Sequence, residues 1–362
     1  TYSNRILIID EVHNIRSGES EKKSRNTILY IEKVIRYSDN LRLILLTANP
    51  MYNISSEIVW ILNMLLLNDK KMTIPENDIF DRSGNLINED LLKEKSKGYI
   101  SYLRGENPIS FPIRLYPNHN QENIIRSPGI PKDVFGNDIS DEKRLSFLEL
   151  YASQLEGRQL EIYTQAIQKV QGKTKLQIQE ETLLLQLSNI VYPGGSYDIQ
   201  EDDDTEFYGE NGLINCFTRN NKQNSVEYSY KQEIINKYGE FFHKDLIGLY
   251  SAKIKNILEI IQRSEGIIFI YTNWIKSGII PLVLALEQNG YLKYDGKQIL
   301  KTKNKRELIS HEGKLLSEYE DKKDFNPARY MVIAGSENLT HKLEEELRIV
   351  TSDENKDGHK IK

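Results

Sequence analysis

Asp10 and Glu11 are adjacent carboxylates, and His13 follows two positions later. The first acid of such a pair can hold Mg²⁺ on a nucleotide through water. The second can orient and deprotonate the water that attacks a γ-phosphate. The four residues before them, Ile6-Leu7-Ile8-Ile9, are all aliphatic. That run predicts a strand buried on both faces, as in a parallel sheet covered by helices. Ligands collect at the carboxyl ends of strands in open α/β sheets, which gives acids placed there a use. The same residues also suit a buried strand that ends in an ordinary polar turn.

The neighbouring elements separate these two readings. Residues 14–25 are polar and predict a loop, and residues 27–37 predict a helix with Ile28, Ile31, Val34 and Ile35 on one face. A second aliphatic strand over 41–46 ends in Thr47-Ala48-Asn49-Pro50, where the proline stops it. Ser55 is placed to cap a helix whose apolar residues run from Ile58 to Leu67. Two strands, each leading into a helix and each ending in small or polar residues, give the βαβα rhythm of a parallel sheet. That rhythm favours a site at the sheet edge.

Further along, residues 89–97 predict a helix, 111–116 a short strand, and the Pro- and Gly-containing stretch 117–139 a connector. Helical periodicity covers 145–170, with a break at Gly157, and 180–191. Pro193-Gly194-Gly195, the acidic run 201–204 and the Asn-rich stretch 218–225 mark a long surface insertion within 195–235. Helices over 231–238 and 244–263 lead into Gly266-Ile267-Ile268-Phe269-Ile270-Tyr271, a buried strand of the opening type. A polar turn over 272–278 precedes a helix over 280–289, which Gly290 ends. A strand over 330–334 and an acidic helix over 338–350 follow, and the polar tail reads as the approach to another strand.

Composition sets limits on function. The 362 residues carry a net charge of −5, so any basic nucleic-acid surface must be local. For the bunched Lys301, Lys303, Lys305 and Arg306 a solvated loop is the first expectation and a phosphate contact the second. No stretch has the length of a membrane-spanning helix, and no leader pattern opens the chain. A start at Thr1, directly before a core strand, is what a fragment would show. The lone Cys216 excludes an internal disulfide, argues against a zinc site and fits a reducing, intracellular setting. A packed role suits it better than a nucleophilic one. His119, His243, His311, His341 and His359 have no ligand-like spacing to His13, which disfavours a metal-hydrolase site. Gly172-Lys173-Thr174 fails as a phosphate loop, because Ile167 stands where the motif needs glycine and no strand precedes it.

Asp10-Glu11-Val12-His13 resembles motif II of superfamily-two DExH helicases, and residues 45–53 resemble motif III. Residues 267–272, with Ser277-Gly278 and residues 286–291, are similar to the motif IV region. Residues 102–117 resemble a segment of helicase-like NTPases of poxviruses and other large DNA viruses. That group includes the small subunit of the viral early transcription factor and a transcription-associated nucleoside triphosphatase.

The resemblance implies an α/β fold of two incomplete RecA-like parallel-sheet domains, over 1–118 and 243–362, joined by a largely helical connector over 119–242. It implies ATP and Mg²⁺ as cofactors and DNA or RNA as partner, with a viral RNA polymerase or transcription factor subunit as protein partner. The setting would be host cytoplasm or virion, with no membrane. Asp10 would be the Mg²⁺-associated acid through water, Glu11 the catalytic base, and His13 the link to the facing domain. Thr47, Ala48 and Asn49 would couple hydrolysis to domain motion, and Thr272, Asn273 and Ser277 would contact the nucleic-acid backbone. Asn49 departs from the family's usual threonine but keeps hydrogen-bonding capacity, which predicts altered rather than lost coupling. A phosphate loop and an arginine-bearing motif are both missing. An arginine finger contributes on the order of 10³ to 10⁵ in rate, so these residues alone are expected not to hydrolyse ATP measurably. The alternative function is a non-catalytic scaffold or promoter-binding subunit of a viral transcription complex.

Overall fold

In a computed structural model, the described residues are 2–15, 21–51, 55–81, 84–102, 123–126, 129–144, 149–173, 175–194, 208–222, 225–302, 306–334, 339–340 and 343–362. The fold is mixed α/β, in two compact units, Thr1–Tyr116 and Pro117–Lys362.

In the smaller unit β1 (Ile6–Ile9) pairs in parallel with β2 (Arg42–Leu45), Ile6 opposite Arg42 and Ile9 opposite Leu45. Helix α1 (Glu21–Tyr37) connects them, and α2 (Glu57–Asn68) follows β2. Side chains alternate across a strand. Leu7, Ile9, Leu43 and Leu45 therefore share one face, packed on Val12, Ile35, Ile61 and Met64. The expectation of burial on both faces is wrong: Ile6, Ile8 and Ile44 on the opposite face are 60%, 58% and 44% exposed. The helices cover one side only, and no described residue replaces them on the other.

Two local expectations also change. Helix α1 already begins within the stretch read as a loop. Ser55 does not cap α2: its hydroxyl donates to Gly84 O at 2.8 Å, and Ser56 takes the N-cap position without a side-chain bond. Helix α2 is buried on two sides, because Val59, Leu62 and Leu66 also pack on Ile74, Ile79 and Phe80, with Leu91 and Leu92 of α3 (Glu89–Ser96) against them. That explains its nearly unbroken apolar sequence. The strand expected over 111–116, most of the segment 102–117 and part of the motif III likeness, Tyr52 and Asn53, lie outside the described residues.

The larger unit opens with a short antiparallel pair, β3 (Ile124–Ile125) and β4 (Leu150–Tyr151). This corrects the helix expected from residue 145. Helix α4 (Gly157–Val170) begins where a break was expected, at a Gly157 whose φ of 53° suits glycine. It packs on α5 (Ile178–Asn189) through Ile162, Ala166, Leu184 and Leu187.

After α6 (Gly209–Cys216) comes a hairpin, β5 (Phe217–Lys222) and β6 (Ser225–Tyr230), paired from Phe217↔Tyr230 to Lys222↔Ser225. Most of the Asn-rich stretch is therefore the outer strand of a hairpin, with Thr218, Asn220 and Asn221 exposed, while residues 195–207 lie outside the described residues. Val226, Tyr228 and Tyr230 point inward on alternate positions. Phe217, Phe241, Phe242 and Tyr250 join the tyrosines in one aromatic cluster.

Helix α7 (Gln232–Tyr238) follows, and then α8 (Ala252–Arg263), which starts later than the predicted 244 because Ser251 caps it by accepting from Ile254 N at 3.1 Å. A wide turn, Ile275–Ile279, leads into α9 (Ile280–Gln288). The unit closes with β7 (Leu292–Lys293), β8 (Leu300–Lys301), β9 (Arg329–Tyr330) and α10 (Leu343–Val350). Strand β6 pairs in parallel with β8, and β7 with β9. Residues from either side of position 243 share this core. The buried strand expected over 266–271 is not formed among the described residues: that segment is unpaired, with Phe269 84% and Tyr271 75% exposed.

Candidate functional site

The turn after β1 carries the two carboxylates. Asp10 is exposed, and its Oδ1 accepts from Glu11 N at 2.9 Å. Glu11 sits at φ 49°, in the left-handed region. For a residue with a Cβ that conformation costs roughly 1–2 kcal/mol, and such strain clusters at functional sites. The turn is held open by backbone bonds that cross between the strand ends: Leu46 N donates to Ile9 O at 2.9 Å and Val12 N to Leu46 O at 3.1 Å. Glu11 therefore presents its carboxylate to solvent, with 53% of the side chain exposed.

His13 lies beneath, buried at the start of a short 3-10 turn, Val12–Ile15. Its Nδ1 is 2.8 Å from Thr47 Oγ1 and 3.3 Å from Glu11 Oε2. A proton on Nδ1 suits both acceptors. Thr47 Oγ1 also accepts from Asn49 N at 3.1 Å, which fixes the turn after β2. Ala48 and Asn49 are exposed above it. Asp10, Glu11, His13 and Thr47 thus form one constellation across the carboxyl ends of two parallel strands. Among the described residues no cluster of three or more His, Cys, Asp or Glu could hold a metal by itself. The solvent-facing carboxylate of Asp10 suits a water-mediated contact to a cation held mainly by something else.

The second predicted group lies in the larger unit. Thr272 Oγ1 accepts from Trp274 N at 3.2 Å and lies where a Cβ on Gly278 would meet it at 2.4 Å, so this turn needs glycine there. Asn273 is exposed and accepts from Tyr271 Oη at 2.5 Å. Ser277 is buried, and its Oγ accepts from Gly209 N at 2.8 Å and donates to Gln186 Oε1 at 2.9 Å. These bonds tie the turn to α5 and α6. Nothing in the sequence marked Gln186 as a partner.

The basic bunch divides. Lys301 is exposed, residues 303–305 lie outside the described residues, and Arg306 is turned inward. Its two terminal nitrogens donate to Glu287 O at 2.6 Å and Leu300 O at 2.9 Å. Glu287 itself is fully buried. Its carboxylate accepts from Ile299 N at 2.9 Å, Leu300 N at 2.6 Å and Tyr330 Oη at 2.5 Å. Burial pushes the Glu287 carboxyl pKa up, against the pull of those donors and of the Arg306 guanidinium. A glutamate inside the apolar run of α9 was the available sign of this network, and sequence reasoning passed over it. Cys216 is buried, and burial pushes its thiol up to about 12, as expected of a packed residue. Gly172 follows α4 at φ 80°, and Lys173 pairs with Glu180, so that segment forms no phosphate loop.

Across 96% of its length the chain is 27% identical to a protein of Acanthamoeba polyphaga mimivirus named as a candidate ATP-dependent RNA helicase, L377, covering 31% of that protein. The chain is similar to proteins of large DNA viruses that are named as candidate helicases. A candidate helicase of Frog virus 3, 009L, is 36% identical over 30% of this chain and 11% of its own length. An African swine fever virus protein named as an early transcription factor large subunit homolog is 22% identical over 99% of this chain, covering 31% of the relative. The transcription-factor relative is thus named for the large subunit, whereas the sequence resemblance pointed to the small one. The chain spans about a third of the length of the mimivirus and swine fever virus relatives. No family model and no solved structure matches it. Among the described residues no helix is long and apolar enough to cross a membrane.

Proposed function

We propose that the chain belongs to a nucleic-acid-dependent ATPase of the helicase type, in which the β1–β2 strand ends form the water-activating side of the nucleotide site. The observation that carries this reading is the bond from His13 Nδ1 to Thr47 Oγ1 at 2.8 Å, directly beneath the Glu11 carboxylate. Glu11 takes a proton from the attacking water, and Asp10 would hold the Mg²⁺ that accompanies ATP. When bound, that ion neutralises phosphate charge. His13 and Thr47 carry any shift of Glu11 to the turn at Ala48 and Asn49, the coupling segment. The units contribute to two RecA-like domains, and half-buried Thr272 and exposed Asn273 contact phosphates of DNA or RNA without reading sequence. Ser277, already bonded on both sides, holds their turn in place. The printed names of the mimivirus relatives support ATP use, and the swine fever virus relative supports a place in viral transcription alongside a polymerase or transcription factor.

The test is ATP hydrolysis by the complete protein with and without DNA and RNA. Stimulation by either is the expected outcome. Hydrolysis that neither nucleic acid changes, or none at all, overturns the proposal and leaves the scaffold alternative.

A further inference from the structure

The turn that follows Thr272 and Asn273 borders a cavity of about 440 Å³ in the larger unit. That size falls within the roughly 300–1,000 Å³ of small-ligand sites. The turn contributes Trp274 and Lys276, the start of α6 contributes Tyr208 and Glu210, and α5 contributes Gln186. These elements are bonded to one another. Ser277 Oγ accepts from Gly209 N at 2.8 Å and donates to Gln186 Oε1 at 2.9 Å. Fully buried Tyr192 donates from its hydroxyl to Lys276 O at 2.7 Å. The backbone of Trp274 is held as well, its N–H by Thr272 Oγ1 at 3.2 Å and its carbonyl by Ile279 N at 2.9 Å. The cavity is therefore pre-formed, and filling it costs little ordering.

The chemistry of the lining points to the occupant. The chain has two tryptophans, and they differ. Trp60 packs on the core of the smaller unit. Trp274 is half-buried at the cavity, and among the described residues its indole makes no hydrogen bond and no ring contact. An indole that lines a cavity is a stacking platform, and every nucleobase has a π-face to lay on it. Glu210, with 54% of its side chain exposed, offers an acceptor for an exocyclic amino group. Its charge is offset by Lys276 at 3.6 Å and Arg219 at 3.8 Å. One carboxylate between two cations leaves the site net positive. That disfavours a cationic ligand and tolerates the phosphates of a nucleotide strand.

We infer that this cavity takes one unstacked base of a single nucleic-acid strand, stacked on Trp274 with its amino group toward Glu210. Thr272 and Asn273 hold the adjoining phosphates. The inference rests on the nucleic-acid reading above and adds a base-directed contact to its phosphate contacts. Cytosine, adenine and guanine carry such an amino group, whereas thymine does not.

Oligonucleotide binding to the 362-residue chain tests this, read by the anisotropy of a labelled strand and by indole emission. In Trp60→Phe, Trp274 is the remaining tryptophan, and oligo(dC) should quench it. A strand of abasic nucleotides should bind without quenching. In the otherwise unsubstituted chain, Trp274→Ala should weaken oligo(dC) binding by roughly 10- to 100-fold. Trp274→Phe should weaken it far less, since a phenyl ring still stacks. Oligo(dC) should bind tighter than oligo(dT), and Glu210→Ala should bring the two together. Binding that neither quenches Trp274 nor weakens in Trp274→Ala overturns the inference and leaves the phosphate-contact reading standing. Equal quenching by the abasic strand overturns it too, and a dC preference that survives Glu210→Ala removes the amino-group contact from it. Failure to bind any DNA or RNA overturns the nucleic-acid reading itself.

Discussion

Two glutamates sit in opposite surroundings. Glu11, at the strand ends of the smaller unit, is half in water on a strained backbone, 3.3 Å from a histidine nitrogen. Glu287, in α9 of the larger unit, is fully buried, with three donors on its carboxylate and Arg306 on its own carbonyl. A fully buried carboxylate with three donors already on it fixes a fold and is out of reach of a substrate. One left exposed on a strained turn adds nothing to stability and is available for chemistry. The smaller unit thus holds its reactive groups at an open edge, and the larger unit encloses Glu287 within its core.

The largest expected effect tests the first half of that contrast. In the complete protein, Glu11→Gln should lower nucleic-acid-stimulated ATP hydrolysis by roughly 10²–10⁴-fold, the usual reach of a general base, with no change in the urea midpoint. A drop in both would make Glu11 structural. Glu287→Ala is expected to do the reverse. It strands two buried backbone N–H groups and a tyrosine hydroxyl and removes the charge facing Arg306, and should destabilise the larger unit by about 3–5 kcal/mol in urea unfolding. A loss under about 1 kcal/mol would show that the network relaxes or fills with water.

Smaller effects sharpen the comparison. Thr47→Val removes the acceptor shared by His13 and Asn49 N, at about 1 kcal/mol of stability, and nucleic-acid stimulation should weaken more than basal hydrolysis. Equal loss of both rates would take coupling away from Thr47. Glu11→Gly should raise stability by about 1 kcal/mol by relieving the left-handed strain, even as activity disappears. Thermal melts that fail to rise would mean the turn is not strained. Last, the thiol of Cys216, pushed up to about 12 by burial, should resist iodoacetamide at mildly alkaline pH until the protein unfolds. Rapid alkylation of the folded chain would show that the aromatic core is not sealed.

What could be read in advance follows from how local each signal is. β1, β2 and their turns were legible because four aliphatics ending in acids, or in Thr-Ala-Asn-Pro, are complete statements within one stretch. Their exposed second face was not, since burial depends on what covers a strand rather than on the strand. The hairpin of β5 and β6 was mistaken for a surface insertion because its asparagines outweighed the alternation of Val226, Tyr228 and Tyr230. Residues 267–271 carried a correct apolar pattern, but pairing needs a partner that pattern cannot supply. The burial of Ser277 had no local sign at all, because Gln186 and Gly209 reach it from distant elements.

The pairing of Tyr228 with Leu300, and of Leu292 with Arg329, has a consequence for the order of events during synthesis. Tyr228 and Leu300 lie about twice as far apart in the chain as Ile6 and Arg42, whereas Leu292 and Arg329 are about as far apart as β1 and β2, and β5 and β6 are neighbours. Non-local pairing slows folding, because a long loop must close before contacts reward it. A nascent chain can therefore close β1 on β2 and form the β5–β6 hairpin early, while the third strand, β8, must wait for Leu300 to leave the ribosome. Pulse-labelled refolding should protect the β1–β2 and β5–β6 amides before those of β8, and protection of β8 ahead of them would contradict this order. During that interval the finished small sheet carries the bare aliphatic face of Ile6, Ile8 and Ile44, a sticky surface that makes early chaperone contact an advantage for this protein.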